Sequence, residues 1–191
     1  MAMETYRYLA LYKPYGVLSS FTDPENRPTL KDYVNVAGVY TAGRLDYDSE
    51  GLLLLTDDGS LIHQMTDPRF HLPKTYWVEV EGLITVEAAS TLEKGVILQG
   101  ERTRRCQVLP IPEPALPPRT KPVTPHAPVS WLRIVLREGK KRQIRHMTAA
   151  VGFPTLRIVR VAIGPINLEG LQPGQWRLLS DNEIRQLRKV R

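Results

Sequence analysis

The sequence predicts an α+β fold with a mixed, largely antiparallel sheet and flanking helices. Polar and apolar side chains alternate over 75–81 and 131–137, which is typical of strands buried on one face. Segments with helical periodicity or caps lie between such strands, at 59–66, 85–94 and 141–150. Several strand pairs have connections typical of hairpins, and no βαβ repeat is present. The length of 191 residues fits one domain, or one domain in two lobes.

Capping residues justify the helices individually. Thr85 begins a helix that Gly95 ends, and Ser180 with Glu183 forms a capping box for a C-terminal helix. The helix at 59–66 is expected to end at Asp67-Pro68. The remaining predicted elements are a short helix at 29–34 and strands at 6–12, 39–41, 52–56, about 104–109 and 156–163.

Residues 110–128 hold eight of the sixteen prolines. Both flanks have the pattern of strands, so we expect a long exposed excursion from a sheet and not a domain boundary. Arg119 and Lys121 make this segment a candidate contact for nucleic acid, with an ordinary surface insertion as the alternative.

Charge and composition narrow the function classes. The net charge of +6 and the pI near 9.5 favour a polyanionic partner, with RNA or DNA ahead of an acidic membrane surface. Cys106 is the only cysteine, which excludes an intrachain disulfide and a cysteine-based zinc site. The histidines (His63, His71, His126 and His146) lack metal-ligand spacing. Charges near the N-terminus and short apolar runs lead us to expect a cytoplasmic protein without a membrane span.

The segment GRLDYDSEG joins two apolar strands and concentrates charge. Its charged residues are Arg44, Asp46, Asp48 and Glu50. Gly43 and Gly51 bracket it, which suits a backbone that turns sharply. Loops between rigid strands often hold reactive groups, yet composition alone favours a solvated acidic turn.

Four stretches together resemble a known family. They are KPYGVLSSFTDPENRPTL, GRLDYDSEGLLLLT, KTYWVEVEG and EGKKRQIRHMTAAVGFPTLRIVRVAIGPINL. In this order they resemble the motifs of the pseudouridine synthases, in the ribosomal RNA branch typified by the small-subunit enzyme A. Within the branch, the pattern is nearest to enzymes of the large subunit. The resemblance implies one catalytic domain over 1–191, with two lobes around a central basic cleft.

The resemblance assigns the nucleophile to Asp46. Its carboxylate would attack C1′ of the ribose or C6 of the uracil, or assist departure of the base, and the freed uracil would rejoin the ribose through C5. No cofactor or metal is expected, because an isomerisation has no net redox change and no group to donate.

Arg145 and Tyr76 are the companions that the resemblance implies. Arg145 would pair with Asp46 and keep it ionised, and Tyr76 would stack on the target uracil. A surface RNA contact is the alternative for Arg145, and a core aromatic position is the alternative for Tyr76.

Arg44 is expected to line the space left by a flipped-out uridine, or to bind a phosphate. Asp48 and Glu50 are expected to shape the loop through hydrogen bonds. Ile163 or Leu168 would supply an apolar contact under the flipped base.

Basic residues outside the catalytic set are expected to hold the RNA through its phosphates. These RNA-binding candidates are Lys140, Lys141, Arg142, Arg157 and Arg160. The basic C-terminal helix is expected to be a solvated face, and no separate RNA-binding domain is expected before the catalytic one. Two residues depart from the family pattern: Arg142 stands where histidine is common, and Tyr47 where other polar residues often occur.

These expectations define the partner as ribosomal RNA of the large subunit or its assembly intermediate, with the protein a monomer. Alternatives are another ribosomal or transfer RNA site, and a non-catalytic RNA-binding protein of ribosome assembly that keeps the fold.

Overall fold

Eleven strands and four α-helices run through the residues that the computed structural model describes, which are 6–67, 69–70 and 72–189. The strands are β1 (Tyr8–Lys13), β2 (Tyr40–Thr41), β3 (Glu50–Thr56), β4 (Lys74–Glu81), β5 (Ile97–Leu98), β6 (Glu101–Arg102), β7 (Gln107–Ile111), β8 (Val129–Leu136), β9 (Thr155–Ile163), β10 (Ile166–Asn167) and β11 (Trp176–Leu178). The helices are α1 (Gly59–Thr66), α2 (Val86–Lys94), α3 (Gln143–Ala150) and α4 (Asp181–Lys189), and a 3-10 turn covers Leu30–Asp32.

The chain divides into two units. The first unit holds the residues up to Leu72 and from Ala162 onward, and the second unit holds Pro73–Val161. Two such units agree with the prediction of two lobes. None of the helices in the described ranges has the length and apolar character needed to cross a bilayer.

In the first unit, β3 pairs antiparallel with β1 and with β2, and β1 pairs antiparallel with β11. All residues of β1 and β3 are buried, so these strands carry apolar side chains on both faces. On one face Ala10, Leu52 and Leu54 pack in a core with Leu61 and Met65 of α1. This core holds β3, the strand that follows the loop containing Asp46.

A buried polar network ties α1 and α4 to β1. Asp58 caps α1 by accepting hydrogen bonds from the N–H groups of Ser60 and Leu61, and it also accepts from the Tyr8 hydroxyl at 2.8 Å. Arg188 of α4 donates to Asp58 at 2.8 Å and to the Tyr8 hydroxyl at 2.6 Å. Burial, followed by the hydrogen bond to Asp58, raises the pKa of Tyr8 to about 12. The network therefore holds two helices against one strand.

In the second unit, β8 pairs antiparallel with β4 and with β7. The pairing with β4 runs from Lys74 opposite Leu136 to Glu81 opposite Val129. Strand β7 ends this order, and it contains Pro110. Proline fits such a position because an edge strand tolerates a missing backbone donor.

The proline-rich segment between β7 and β8 is fastened by hydrogen bonds within the second unit. The Arg157 guanidinium donates to the carbonyl oxygen of Pro117 at 2.8 Å, and Arg119 donates to the carbonyl oxygens of Lys121 and Pro122. The backbone N–H of His126 donates to the Glu81 carboxylate at 2.6 Å. Arg119, a candidate RNA contact, thus uses its guanidinium on the segment itself.

The predicted α+β class and mostly antiparallel pairing are confirmed. Helix α3 begins two residues later than predicted because Arg142 adopts φ 52°, a left-handed conformation that cannot belong to the helix. The helix predicted at 29–34 is only the 3-10 turn, and β5, β6, β10 and β11 were not predicted because two or three residues are too short for alternation to register. Pro68 and His71 lie outside the described residues.

Candidate active site

The candidate nucleophile Asp46 lies in the loop between β2 and β3 of the first unit and is half-buried. The backbone N–H of Ser49 donates to the carbonyl oxygen of Asp46 at 3.1 Å, which closes a tight turn directly after Asp46. Gly43 and Gly51 have φ of 97° and 107°, in the left-handed region where glycine is favoured. A bend at Gly43 and the turn after Asp46 therefore flank the carboxylate, whereas Gly51 already lies in β3 opposite Lys13.

A second loop of the first unit supports this one. The Ser19 hydroxyl donates to the carbonyl oxygen of Leu45 at 2.8 Å and accepts from the Leu45 N–H at 3.0 Å. The N–H of Gly16 donates to the carbonyl oxygen of Tyr47 at 2.9 Å. The residues before and after Asp46 are thus both held by the segment that follows β1. Ser19 lies within the first motif of the resemblance, but no local feature of the sequence predicts a role for it.

The other polar residues of the loop differ in exposure. Arg44 is exposed, as a residue must be to reach into an RNA helix, whereas Glu50 is buried at the start of β3. Asp48 is half-buried. The burial of Glu50 suits the predicted role in shaping the loop, which stays a prediction.

Tyr76 lies on β4 in the second unit, is 8% exposed, and stands opposite Ile134 of β8. Lys74 is on the same strand two residues earlier, so both side chains point to the same face of the sheet. Burial, assisted by the positive charge of Arg160, lowers the pKa of Lys74 to about 8. Lys74 was not among the predicted site residues, although its spacing of two residues from Tyr76 indicates the shared face.

Arg145 lies in the first turn of α3, half-buried at the border of the stripe formed by Ile144 and Met147. Its guanidinium donates to the carbonyl oxygen of Thr155 at 3.3 Å. The side chain therefore borders the buried stripe of the helix.

The basic residues before α3 stand on a braced turn. Lys140 and Lys141 are exposed, and Arg142 is half-buried. The buried side chain of Gln143, which is 4% exposed, stabilises this turn. Its oxygen accepts a hydrogen bond from the backbone N–H of Lys140 at 3.0 Å, and its amide nitrogen donates to the Glu138 carboxylate. Lys140 also forms an exposed ion pair with Glu101 at 2.7 Å. The turn thus presents Lys140 and Lys141 to solvent.

Two predicted RNA-binding residues occupy a different environment. Arg157 is 8% exposed and Arg160 is 3% exposed, and Arg157 donates to the proline-rich segment.

In the described ranges no three His, Cys, Asp or Glu side chains are grouped to hold a metal ion. Of the predicted catalytic and RNA-binding residues, Asp46 and Arg44 belong to the first unit, and the others belong to the second. Ile163 and Leu168, the candidates for the apolar contact, belong to the first unit.

Comparison with known protein families gives the class of protein, in agreement with the motifs and the fold. The chain matches the RNA pseudouridylate synthase family over residues 7–150, and it belongs to that family. It is therefore an RNA pseudouridine synthase, an isomerase, as the resemblance implied.

Individual relatives indicate which branch of the family this chain is most similar to. The ribosomal large subunit pseudouridine synthase E of Xanthomonas campestris pv. campestris is 51% identical over 183 residues, which cover 93% of this chain and 98% of the relative. Synthase E of Vibrio vulnificus is 47% identical, over 94% of this chain and 78% of the relative. The ribosomal small subunit pseudouridine synthase A of Vibrio cholerae is 36% identical, over 93% of this chain and 72% of the relative. The predicted ordering within the branch is confirmed.

Solved structures agree on the fold. A crystal structure of a pseudouridylate synthase superposes with a TM-score of 0.79 at 27% identity, and covers 98% of this chain and 76% of that chain. Human RNA pseudouridylate synthase domain containing 1 superposes with a TM-score of 0.58 at 13% identity, over 98% of this chain and 93% of that chain. The second likeness concerns the fold alone.

Proposed function

We propose that this enzyme converts a uridine of large-subunit (23S) ribosomal RNA to pseudouridine, with Asp46 as nucleophile. The observation that carries the choice of RNA is the identity of 51% and 47% to synthases named for the large subunit, against 36% to a synthase named for the small subunit. The choice of Asp46 rests on the motif GRLDYDSEGLLLLT and is supported by the hydrogen bonds that hold its neighbours.

In the proposed reaction the Asp46 carboxylate attacks C1′ or C6, or assists departure of the base, and the N1–C1′ bond breaks. The uracil turns, a bond forms from C5 to C1′, and any bond to the carboxylate is released. C5 loses a proton and N1 gains one, so the carboxylate is regenerated. The reaction conserves every atom of the uridine, so it needs no co-reactant. Tyr76 as the residue that stacks on uracil, and Arg145 as the cation that favours ionised Asp46, remain proposals from the resemblance. The role of Arg44, which is to fill the space that the flipped base leaves, is likewise proposed from the resemblance.

The RNA is proposed to bind through its phosphates to basic residues, with Lys140, Lys141 and Arg142 ahead of Arg157 and Arg160. Exposure supports this order, since Lys140 and Lys141 face solvent while Arg157 and Arg160 are buried. With ribosomal RNA as the partner, we propose that the enzyme acts in the cytoplasm.

The experiment that tests the target uses unmodified ribosomal RNA from both subunits. Purified protein is incubated with each RNA, and pseudouridine is mapped by carbodiimide treatment and primer extension. We expect a new stop in large-subunit RNA and none in small-subunit RNA, with transfer RNA as a further control. A stop confined to small-subunit or transfer RNA would contradict the target, and no pseudouridine in any RNA would favour the non-catalytic alternative.

RNA affinity is expected to fall steeply with salt, because phosphate contacts release counterions. Lys141→Met should weaken binding at low salt and reduce the slope of log K against log salt by about 1, since one phosphate contact is lost. Lys189→Met is the matched control, because it removes the same charge from the exposed end of α4. Filter binding across a salt series measures both slopes, and equal slopes for the two variants would contradict the proposed RNA contact.

A further inference from the structure

Ser19 makes a paired contact to the backbone next to the nucleophile. Ser19 is 4% exposed, and its hydroxyl bonds both polar backbone groups of Leu45, the N–H at 3.0 Å and the carbonyl oxygen at 2.8 Å. That carbonyl belongs to the peptide bond between Leu45 and Asp46. The orientation of this peptide plane sets the direction in which the Asp46 backbone leaves it, and hence where the carboxylate lies.

The segment that carries Ser19 is itself anchored. Lys13 is fully buried, and its ammonium donates to the carbonyl oxygens of Pro14 at 2.9 Å and Val17 at 2.7 Å. The turn so formed presents the N–H of Gly16 to the carbonyl oxygen of Tyr47 at 2.9 Å. The backbone next to Asp46 is therefore held at the preceding residue by Ser19 and at the following residue by Gly16, and Gly16 lies in the turn that Lys13 fixes.

We infer that Ser19 is a positioning residue for the pseudouridylation step, acting through Leu45 on the carboxylate of Asp46. The inference rests on the proposed role of Asp46 as nucleophile. A single hydroxyl that both donates to and accepts from one residue restricts rotation of that residue's peptide groups more than one hydrogen bond does. Since a misplacement of about 1 Å at a reacting group costs about a hundredfold in rate, loss of this restraint falls on the chemical step.

Ser19→Ala tests the inference, with Ser20→Ala as the matched control. The adjacent hydroxyl of Ser20 bonds the carbonyl oxygen of Thr22 in its own loop, 3.0 Å away. Single-turnover pseudouridine formation at saturating enzyme should slow by about tenfold to a hundredfold in Ser19→Ala, with the RNA Kd within about twofold of wild type. Ser20→Ala should react at the wild-type rate.

A second variant and a measurement independent of activity complete the test. Ser19→Cys keeps nearly the same volume but offers a weaker donor and acceptor, so a smaller loss of rate is expected. Amide hydrogen exchange at Leu45 should accelerate in both Ser19 variants, because its N–H loses its acceptor in Ser19→Ala and has a weaker one in Ser19→Cys. A wild-type rate in either folded Ser19 variant, an equal loss in Ser20→Ala, or unchanged exchange at Leu45 would overturn the inference. Failure of the proposed function is distinct, since the wild-type protein would then form no pseudouridine.

Discussion

Asp46→Asn is expected to abolish pseudouridine formation while RNA binding persists. The amide keeps the size and the hydrogen-bonding ability of the carboxylate but lacks the negative charge and nucleophilicity that the proposed reaction requires. Loss of a nucleophile lowers turnover by several orders of magnitude, so we expect a decrease of at least about a thousandfold. The measurement is the single-turnover rate on large-subunit ribosomal RNA, together with an RNA Kd from filter binding.

Asp48→Asn is the control for Asp46→Asn because it removes the same charge from the same loop. Asp48 is expected to shape the loop and not to react, so its variant should lose less than about tenfold in rate. Turnover by Asp46→Asn at the wild-type rate would refute the assignment of the nucleophile. A loss in Asp48→Asn as large as in Asp46→Asn would indicate that loop charge, and not one carboxylate, governs the rate.

Asp58→Ala is expected to lower the free energy of unfolding by about 3 kcal/mol, the sum of a lost helix cap and of buried hydrogen bonds left without an acceptor. Asp58 is 1% exposed, caps α1 and accepts from Tyr8 and from Arg188 of α4. The alanine variant leaves the buried Tyr8 hydroxyl without this acceptor and removes the hydrogen bond between Asp58 and Arg188 of α4. Urea denaturation followed by circular dichroism measures the change.

Asp57→Ala is the matched control for Asp58→Ala. Asp57 pairs with Arg7 near the surface, where the two side chains are 22% and 44% exposed. Removal of such a pair is expected to cost less than about 1 kcal/mol. An equal loss in the free energy of unfolding for the two variants would show that burial adds nothing to the contribution of the Asp58 hydrogen bonds to stability.

Acid should weaken the Asp58 network in a defined range. Burial alone would raise the pKa of Asp58, but hydrogen bonds from Ser60, Tyr8 and Arg188 outweigh it and hold the pKa at about 2, below the ordinary 3.8. Stability from ionised Asp58 is therefore complete above about pH 4 and is lost as the pH falls toward 2. The difference in stability between wild type and Asp58→Ala should shrink over the same range.

Local sequence signals predicted the longer elements well. The helix from Thr85 to Gly95 and the capping box of Ser180 with Glu183 are present as expected, because both depend on contacts within one turn of helix. The short strands and the late start of α3 were not predictable in this way. They depend on pairing between distant residues and on the left-handed conformation of Arg142, which no periodic pattern encodes.

For the candidate site, motifs in the sequence proposed Asp46, Tyr76 and Arg145 as chemistry-bearing residues, and those roles stay predictions. The family comparison agrees with the class of enzyme that the motifs implied. Charge alone grouped Arg157 and Arg160 with Lys140 and Lys141, but burial separates the two pairs. The physical reason is that a basic residue on a strand can point into the protein as readily as out of it, and only packing decides which.

The sequence by itself determined the enzyme class, the antiparallel α+β architecture and the loop in which Asp46 lies. Those conclusions follow from contiguous motifs and from periodicity, which local chemistry imposes on neighbouring residues. Only the tertiary structure decided what holds that loop: Ser19 and Leu45 are 26 positions apart, and their hydrogen bonds exist because the turn after β1 folds against the loop before β3. Likewise, Asp58 and Arg188 meet across 130 positions. Such contacts have no local signal, since they arise from the packing of complete elements.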